Sequence, residues 1–143
     1  MILISHRGNL NGRITNEENN PKYINFALNE GFDVEVDVRY YKNNFYLGHD
    51  EPQFLVTYNF LTNKKIWCHA KDPTAFEKLH ELKCIYFWHN NDDYTLTSNG
   101  YIWTNIGKKL LSKSICVLPE LSNYESLTCL GICSDFIKKF SND

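Results

Sequence analysis

The chain has 143 residues, 43% hydrophobic and 22% charged, which fits one domain able to bury a core of its own. Its net charge of −2 comes from acids and bases mixed along the chain, so there is no basic field for nucleic acid and no acidic tail. The opening run MILIS is too short for a signal peptide or membrane span and has no basic region before it, and a soluble, cytoplasmic domain without a transmembrane segment is expected.

Short runs rich in β-branched or aromatic residues predict eight strands, at 2–5, 34–38, 45–48, 66–70, 85–88, 101–103, 115–118 and 131–134. A helix is predicted from Pro21, which suits a first turn, through Ile24, Ala27 and Leu28 on one face, to Gly31. A second is predicted over 73–82, opened by Pro73 and carrying Phe76, Leu79 and Leu82, and a third over 135–140. The five cysteines form no CxxC pair and mostly stand in apolar runs, so they read as buried small hydrophobes rather than disulfides or zinc ligands.

The strand ends carry the chemistry. In chain order the residues at or just past the C-terminal ends are His6 and Arg7, Glu35, Asp37 and Arg39, His49 and Asp50, His69 and Lys71, His89, Thr104, Glu120 and Asp135. Titratable groups gathered at strand ends suit the C-terminal face of a parallel barrel, where catalytic groups come from several strands. The expected fold is therefore α/β, a reduced TIM-type (β/α)8 barrel of one domain, residues 1–143. Such barrels usually need about 200 to 250 residues, so several helices would be shortened or missing, and a partial or open barrel is the alternative. The segment between Val38 and Phe45 is too short for a crossover helix, which leaves a hairpin and a parallel return both open there.

In DVEVDVRY, period two sends Val34, Val36 and Val38 to one face and Glu35, Asp37 and Arg39 to the other. Two neighbouring carboxylates in a low dielectric repel unless a cation lies between them, and hard divalent cations take oxygen ligands. Glu35 and Asp37 are thus candidate metal ligands, with a salt bridge to Arg7 or Arg39 as the plain alternative. His6 can move protons near neutral pH and Arg7 offers a rigid fork to phosphate. His49, beside Gly48, gives a second imidazole at a strand end, so the two histidines suit a general acid and base. Lys71 suits a phosphate oxygen as a point charge, or a surface. Trp88, Tyr101 and Trp103 suit a pocket wall or a core.

HRGN at 6–9, EEN at 17–19, an apolar helix, GFDVEVDVR and GHDEP resemble the glycerophosphodiester phosphodiesterases and their relatives in the phospholipase C-like phosphodiesterase superfamily, which carry HRG, a PEN triplet, ExD and HD in that order. GICSDF resembles that family's closing strand, and HAK and LPE fall in the expected order. The resemblance implies a metal-dependent phosphodiesterase acting on glycerophosphodiesters or lipid head groups, with His6 and His49 as the acid and base pair. It also implies Arg7 and Lys71 on phosphate, Glu35 and Asp37 on the metal, and Glu18 as a ligand or a partner near it. Magnesium or calcium is the expected cation. The family's further carboxylate ligand is His69 here, which would weaken those two ions and favour manganese or a softer metal; Glu120 is a candidate to replace that carboxylate. Two other readings share these residues: a phospholipase- or sphingomyelinase-like lyase that forms a cyclic phosphate, and a non-catalytic domain that binds a phosphorylated ligand.

Overall fold

A computed structural model describes residues 1–141. Its strands are β1 (Ile2–His6), β2 (Asp33–Tyr41), β3 (Asn44–Leu47), β4 (Phe54–Val56), β5 (Ile66–Ala70), β6 (Ile85–Trp88), β7 (Tyr94–Leu96), β8 (Ile102–Thr104), β9 (Ser114–Val117) and β10 (Gly131–Ser134). The helices are α1 (Pro21–Asn29), α2 (Tyr58–Leu61) and α3 (Pro73–Glu81), with 3-10 turns at Pro119–Leu121 and Ile137–Phe140, the latter where a third helix was expected.

All ten strands share one mixed sheet. From one edge its order is β7, β8, β9, β10, β1, β2, and from β2 it branches to β5 and β6 on one side and to β3 and β4 on the other. β2 is long enough to serve both: its N-terminal half pairs with β1 in parallel, from Ile4 opposite Asp33 to His6 opposite Glu35, and its C-terminal half pairs with β3 antiparallel, from Val38 opposite Leu47.

The (β/α)8 barrel expectation is overturned. The fold is a curled mixed sheet, a half-barrel, without alternating helices. The physical reason is the length of the connections. A parallel return needs a dozen or more residues, usually a helix. The chain instead turns after Tyr41 through Lys42 and Asn43, at φ 47° and 62°, the left-handed pair that matches the twist of a two-residue hairpin. β7 and β8 likewise pair antiparallel. Of the helices only α1, between β1 and β2, and α3, between β5 and β6, reach nine residues.

The curl separates two cores. On the concave face Ile4, Trp67, Phe87, Trp103, Ile115, Val117 and Cys133 pack together. On the convex face Val34, Val36 and Val38 meet Ile24 and Ala27 of α1 and Ala75 and Leu79 of α3. The alternation of β2 therefore turns its valines outward under helices and its acids inward. Trp103 is core, while Trp88 is exposed. Cys68, Cys116 and Cys133 are buried free thiols, and no disulfide forms among the described residues. No helix among them is long and apolar enough to cross a membrane.

Asp72 joins a helix to this sheet. Its Oδ1 accepts from the Ala75 amide at 2.7 Å, capping α3, and its Oδ2 accepts from the Tyr40 amide of β2 at 3.0 Å. Asp72→Ala is expected to cost about 1 to 3 kcal/mol, the loss of a cap plus one charged hydrogen bond, read as a lower midpoint in urea unfolding.

Candidate functional site

The site lies where β1 and β5 end against the middle of β2. After His6 the chain turns sharply, with Arg7 in the left-handed region at φ 55° and Gly8 at φ 94°. A side chain at Gly8 would meet Tyr23 at 2.6 Å, so glycine is required for the α1 region to close over the turn. The Arg7 amide donates to the Glu35 carbonyl at 2.9 Å and its carbonyl accepts from the Asn19 amide at 3.1 Å, which seats the turn between β2 and the start of α1.

Glu35 and Asp37 are 1% and 0% exposed. Asn19 fixes Asp37 at two points: its side-chain amide donates to Asp37 Oδ2 and its Oδ1 accepts from the Asp37 amide, both at 2.9 Å. In the parallel register His69 stands beside Asp37, and its Nδ1 lies 3.4 Å from Glu35 Oε1 and 3.6 Å from Asp37 Oδ1. Arg7 Nε lies 2.8 Å from Asp37 Oδ2, and Lys71 Nζ lies 3.9 Å from Oδ1. Burial alone would raise the pKa of the Asp37 carboxyl, but the charge of Arg7, with the Asn19 hydrogen bond and the charge of Lys71, holds it below the usual range.

Glu35, Asp37 and His69 each offer one ligand atom, all within 4.8 Å of one another, and this buried group could hold a metal ion. Bonds of about 2.0 to 2.4 Å to a central ion place its ligands at nearly such separations. Two of the oxygens, Glu35 Oε2 and Asp37 Oδ1, are buried without a hydrogen-bond partner. Buried polar atoms are almost always satisfied, so the donor set fits a cation.

His6 links this group to a cleft of about 840 Å³ that His6, Arg7, Arg13, Glu18 and His49 help to line. Its Nδ1 hydrogen-bonds Asp135 Oδ1 at 2.7 Å, and its Nε2 lies 3.8 Å from Glu35 Oε2. Burial pushes the imidazole pKa down; the bond to Asp135 and the charge of Glu35 outweigh it, and the net shift is upward. Asp135 is itself held, by Asn9 Nδ2 at 2.8 Å and, through its amide, by Glu120 Oε1 at 2.8 Å.

His49 reaches the cleft on the loop after β3. The Gly48 amide donates to the Asp37 carbonyl at 3.0 Å, and a Cβ at Gly48 would lie 1.9 Å from the Glu51 carbonyl oxygen. Arg39 clasps the loop, donating Nε to the Gly48 carbonyl at 3.0 Å and Nη2 to the His49 carbonyl. The His49 ring is 44% exposed and bonds Asp50 through Nδ1 at 2.8 Å.

Two expected residues stand apart from the metal-binding group. Both oxygens of Glu120 are engaged by Ser134 Oγ and the Asp135 amide, at 2.9 and 2.8 Å, so it supports Asp135 rather than supplying the missing carboxylate. Glu18 bonds Arg7 Nη1 at 3.1 Å, Arg13 Nε at 2.8 Å and Asn9 at 3.1 Å. Burial would raise its pKa, but the hydrogen bonds from Arg13, Asn9 and Arg7 lower it from 4.5 to about 2. A depressed carboxylate stabilises the fold fully above its ordinary pKa and loses that contribution as pH falls through the folded value. Wild-type protein is expected to lose stability between pH 4.5 and 2 more steeply than Glu18→Gln, measured by thermal melts across that window.

Asn19 was not identified as a site residue from sequence, and Arg39 and Asp135 were noted at strand ends, Arg39 as a counter-ion to the acids, without a catalytic or metal role. Asp135 had a signal, a carboxylate at the end of the last strand; Asn19 had one too, as the residue after Glu18 in EEN. Compared with protein-family models, with curated proteins and with solved structures, the chain matches none.

Proposed function

We propose that the protein is a metal-dependent phosphodiesterase acting on glycerophosphodiester-type substrates, with His6 and His49 exchanging protons with the reacting oxygens. The reading is supported most by one arrangement: an imidazole bonded to Asp135 on one side, facing a buried group that could hold a metal on the other, in a cleft that also receives His49.

His6 donates Nδ1–H to Asp135, which fixes the tautomer and leaves Nε2 to accept a proton from the attacking water. Asp135 keeps the ring oriented and stabilises the imidazolium that forms. His49, at the exposed side of the cleft, protonates the departing alkoxide. Arg7 and Lys71 set positive charge against the phosphoryl oxygens. A divalent cation held by Glu35, Asp37 and His69 would supply Lewis-acid stabilisation of the charge developing on those oxygens. The aromatic floor of Trp67, Phe87 and Trp103, with Phe87 and Trp103 ring centres 4.4 Å apart, closes the concave side below the site against water.

The test is a phosphorus NMR time course with glycerophosphocholine or glycerophosphoethanolamine in the presence of magnesium, calcium or manganese. The expected product is glycerol phosphate. A cyclic phosphate resonance would instead identify the lyase reaction, and an unchanged diester with every cation would overturn the proposal.

A further inference from the structure

We infer that the Glu35, Asp37 and His69 group selects a first-row transition cation of the manganese-to-zinc series over magnesium and calcium, with His69 as the selecting residue; this rests on the metal-binding part of the proposed function. His69 Nε2 lies 2.8 Å from the His89 carbonyl oxygen. A carbonyl only accepts, so Nε2 carries a proton, and in the neutral ring that a cation would bind, Nδ1 presents its lone pair, 3.4 and 3.6 Å from carboxylate oxygens of Glu35 and Asp37. Such a backbone acceptor is the usual device that orients a metal-binding histidine. The ring is further fixed by stacking on Phe87, with centroids 4.9 Å apart and planes 17° from parallel.

With the ring in that form, three acceptor atoms converge on one point. Independently, Glu35 Oε2 and Asp37 Oδ1 are buried without a hydrogen-bond partner, on side chains 2% and 0% exposed. Magnesium and calcium draw affinity from the number and charge of their oxygen ligands. Here there are two carboxylates, and Asp37 is already countered by Arg7 at 2.8 Å and Lys71 at 3.9 Å. The Coulomb attraction left for a hard ion is small. An imidazole nitrogen, by contrast, binds more strongly along the series from manganese to copper, with zinc below copper.

Metal-free protein titrated with manganese, cobalt, magnesium or calcium chloride in a calorimeter tests this without any substrate. Wild type is expected to bind cobalt about 100-fold or more tightly than magnesium, with manganese between, and His69→Glu to lose about 10- to 100-fold for cobalt while gaining for magnesium. Cobalt also reports its ligands: visible d–d bands without thiolate charge transfer are expected, and these should vanish in His69→Gln, a second variant that keeps side-chain bulk. Magnesium or calcium binding as tightly as cobalt, cobalt spectra unchanged in His69→Gln, or no binding of any ion would each overturn the inference. Cobalt bound in this order without phosphodiester cleavage supports it and contradicts the phosphodiesterase reading. Cleavage sustained by magnesium bound as tightly as cobalt does the reverse.

Discussion

His6→Asn is expected to lower the phosphodiester cleavage rate by about 10²- to 10⁴-fold, the usual contribution of a positioned general acid or base, while the circular dichroism spectrum and melting temperature stay near wild type. The ring occupies the junction between the cleft and the metal-binding group, bonded to Asp135 at 2.7 Å and facing Glu35 at 3.8 Å. His49→Asn should show a comparable loss. Asp135→Asn is the companion experiment. It should keep part of the rate but shift the limb of the pH profile assigned to His6 to lower pH, because the carboxylate helps raise that pKa. A His6→Asn enzyme with wild-type turnover would exclude His6 from proton transfer.

Asp37→Ala is expected to have the largest effect on the metal-free fold. Asp37 is fully buried and receives Asn19, Arg7 and Lys71. Removing one member of a buried charge group leaves the others desolvated and unpaired, typically about 3 to 5 kcal/mol, which for a domain of this length lowers the melting temperature by roughly 10 °C. The same variant should lose cation binding, so adding metal should stabilise wild type and leave Asp37→Ala unmoved. Differential scanning calorimetry with and without the cation measures both effects.

Much of the site was legible because it depends on local periodicity. The alternation in DVEVDVRY does send Glu35 and Asp37 to one face and the valines to the other, and His69 and Lys71 do join them from the neighbouring strand. The barrel was not legible because strand ends gathered at one rim look alike in a barrel and in a curled sheet. Connections decide between them, and the turn at Lys42 and Asn43 lacks the glycine that would have marked it. β4 and β7, three residues each, were not predicted, whereas β8, equally short, was found through the aromatic run at 101–103. The roles of Asp135 and Glu120 depend on contacts formed only in the fold: Asp135 reaches His6 across 129 positions, and Glu120 turns to Ser134 rather than to the carboxylates. Arg39, which alternation groups with the acids, is spent on the backbone of the His49 loop.

The most direct measurement is hydrolysis of bis(p-nitrophenyl) phosphate by chelator-treated protein, followed by readdition of single divalent cations, with wild type, His6→Asn and Asp37→Asn side by side. The expected result is no release of p-nitrophenol without metal, restoration by cation in wild type, and loss of the restored rate in both variants. Release that persists in chelator, or that the two variants retain in full, would contradict a metal-dependent site built on His6 and Asp37.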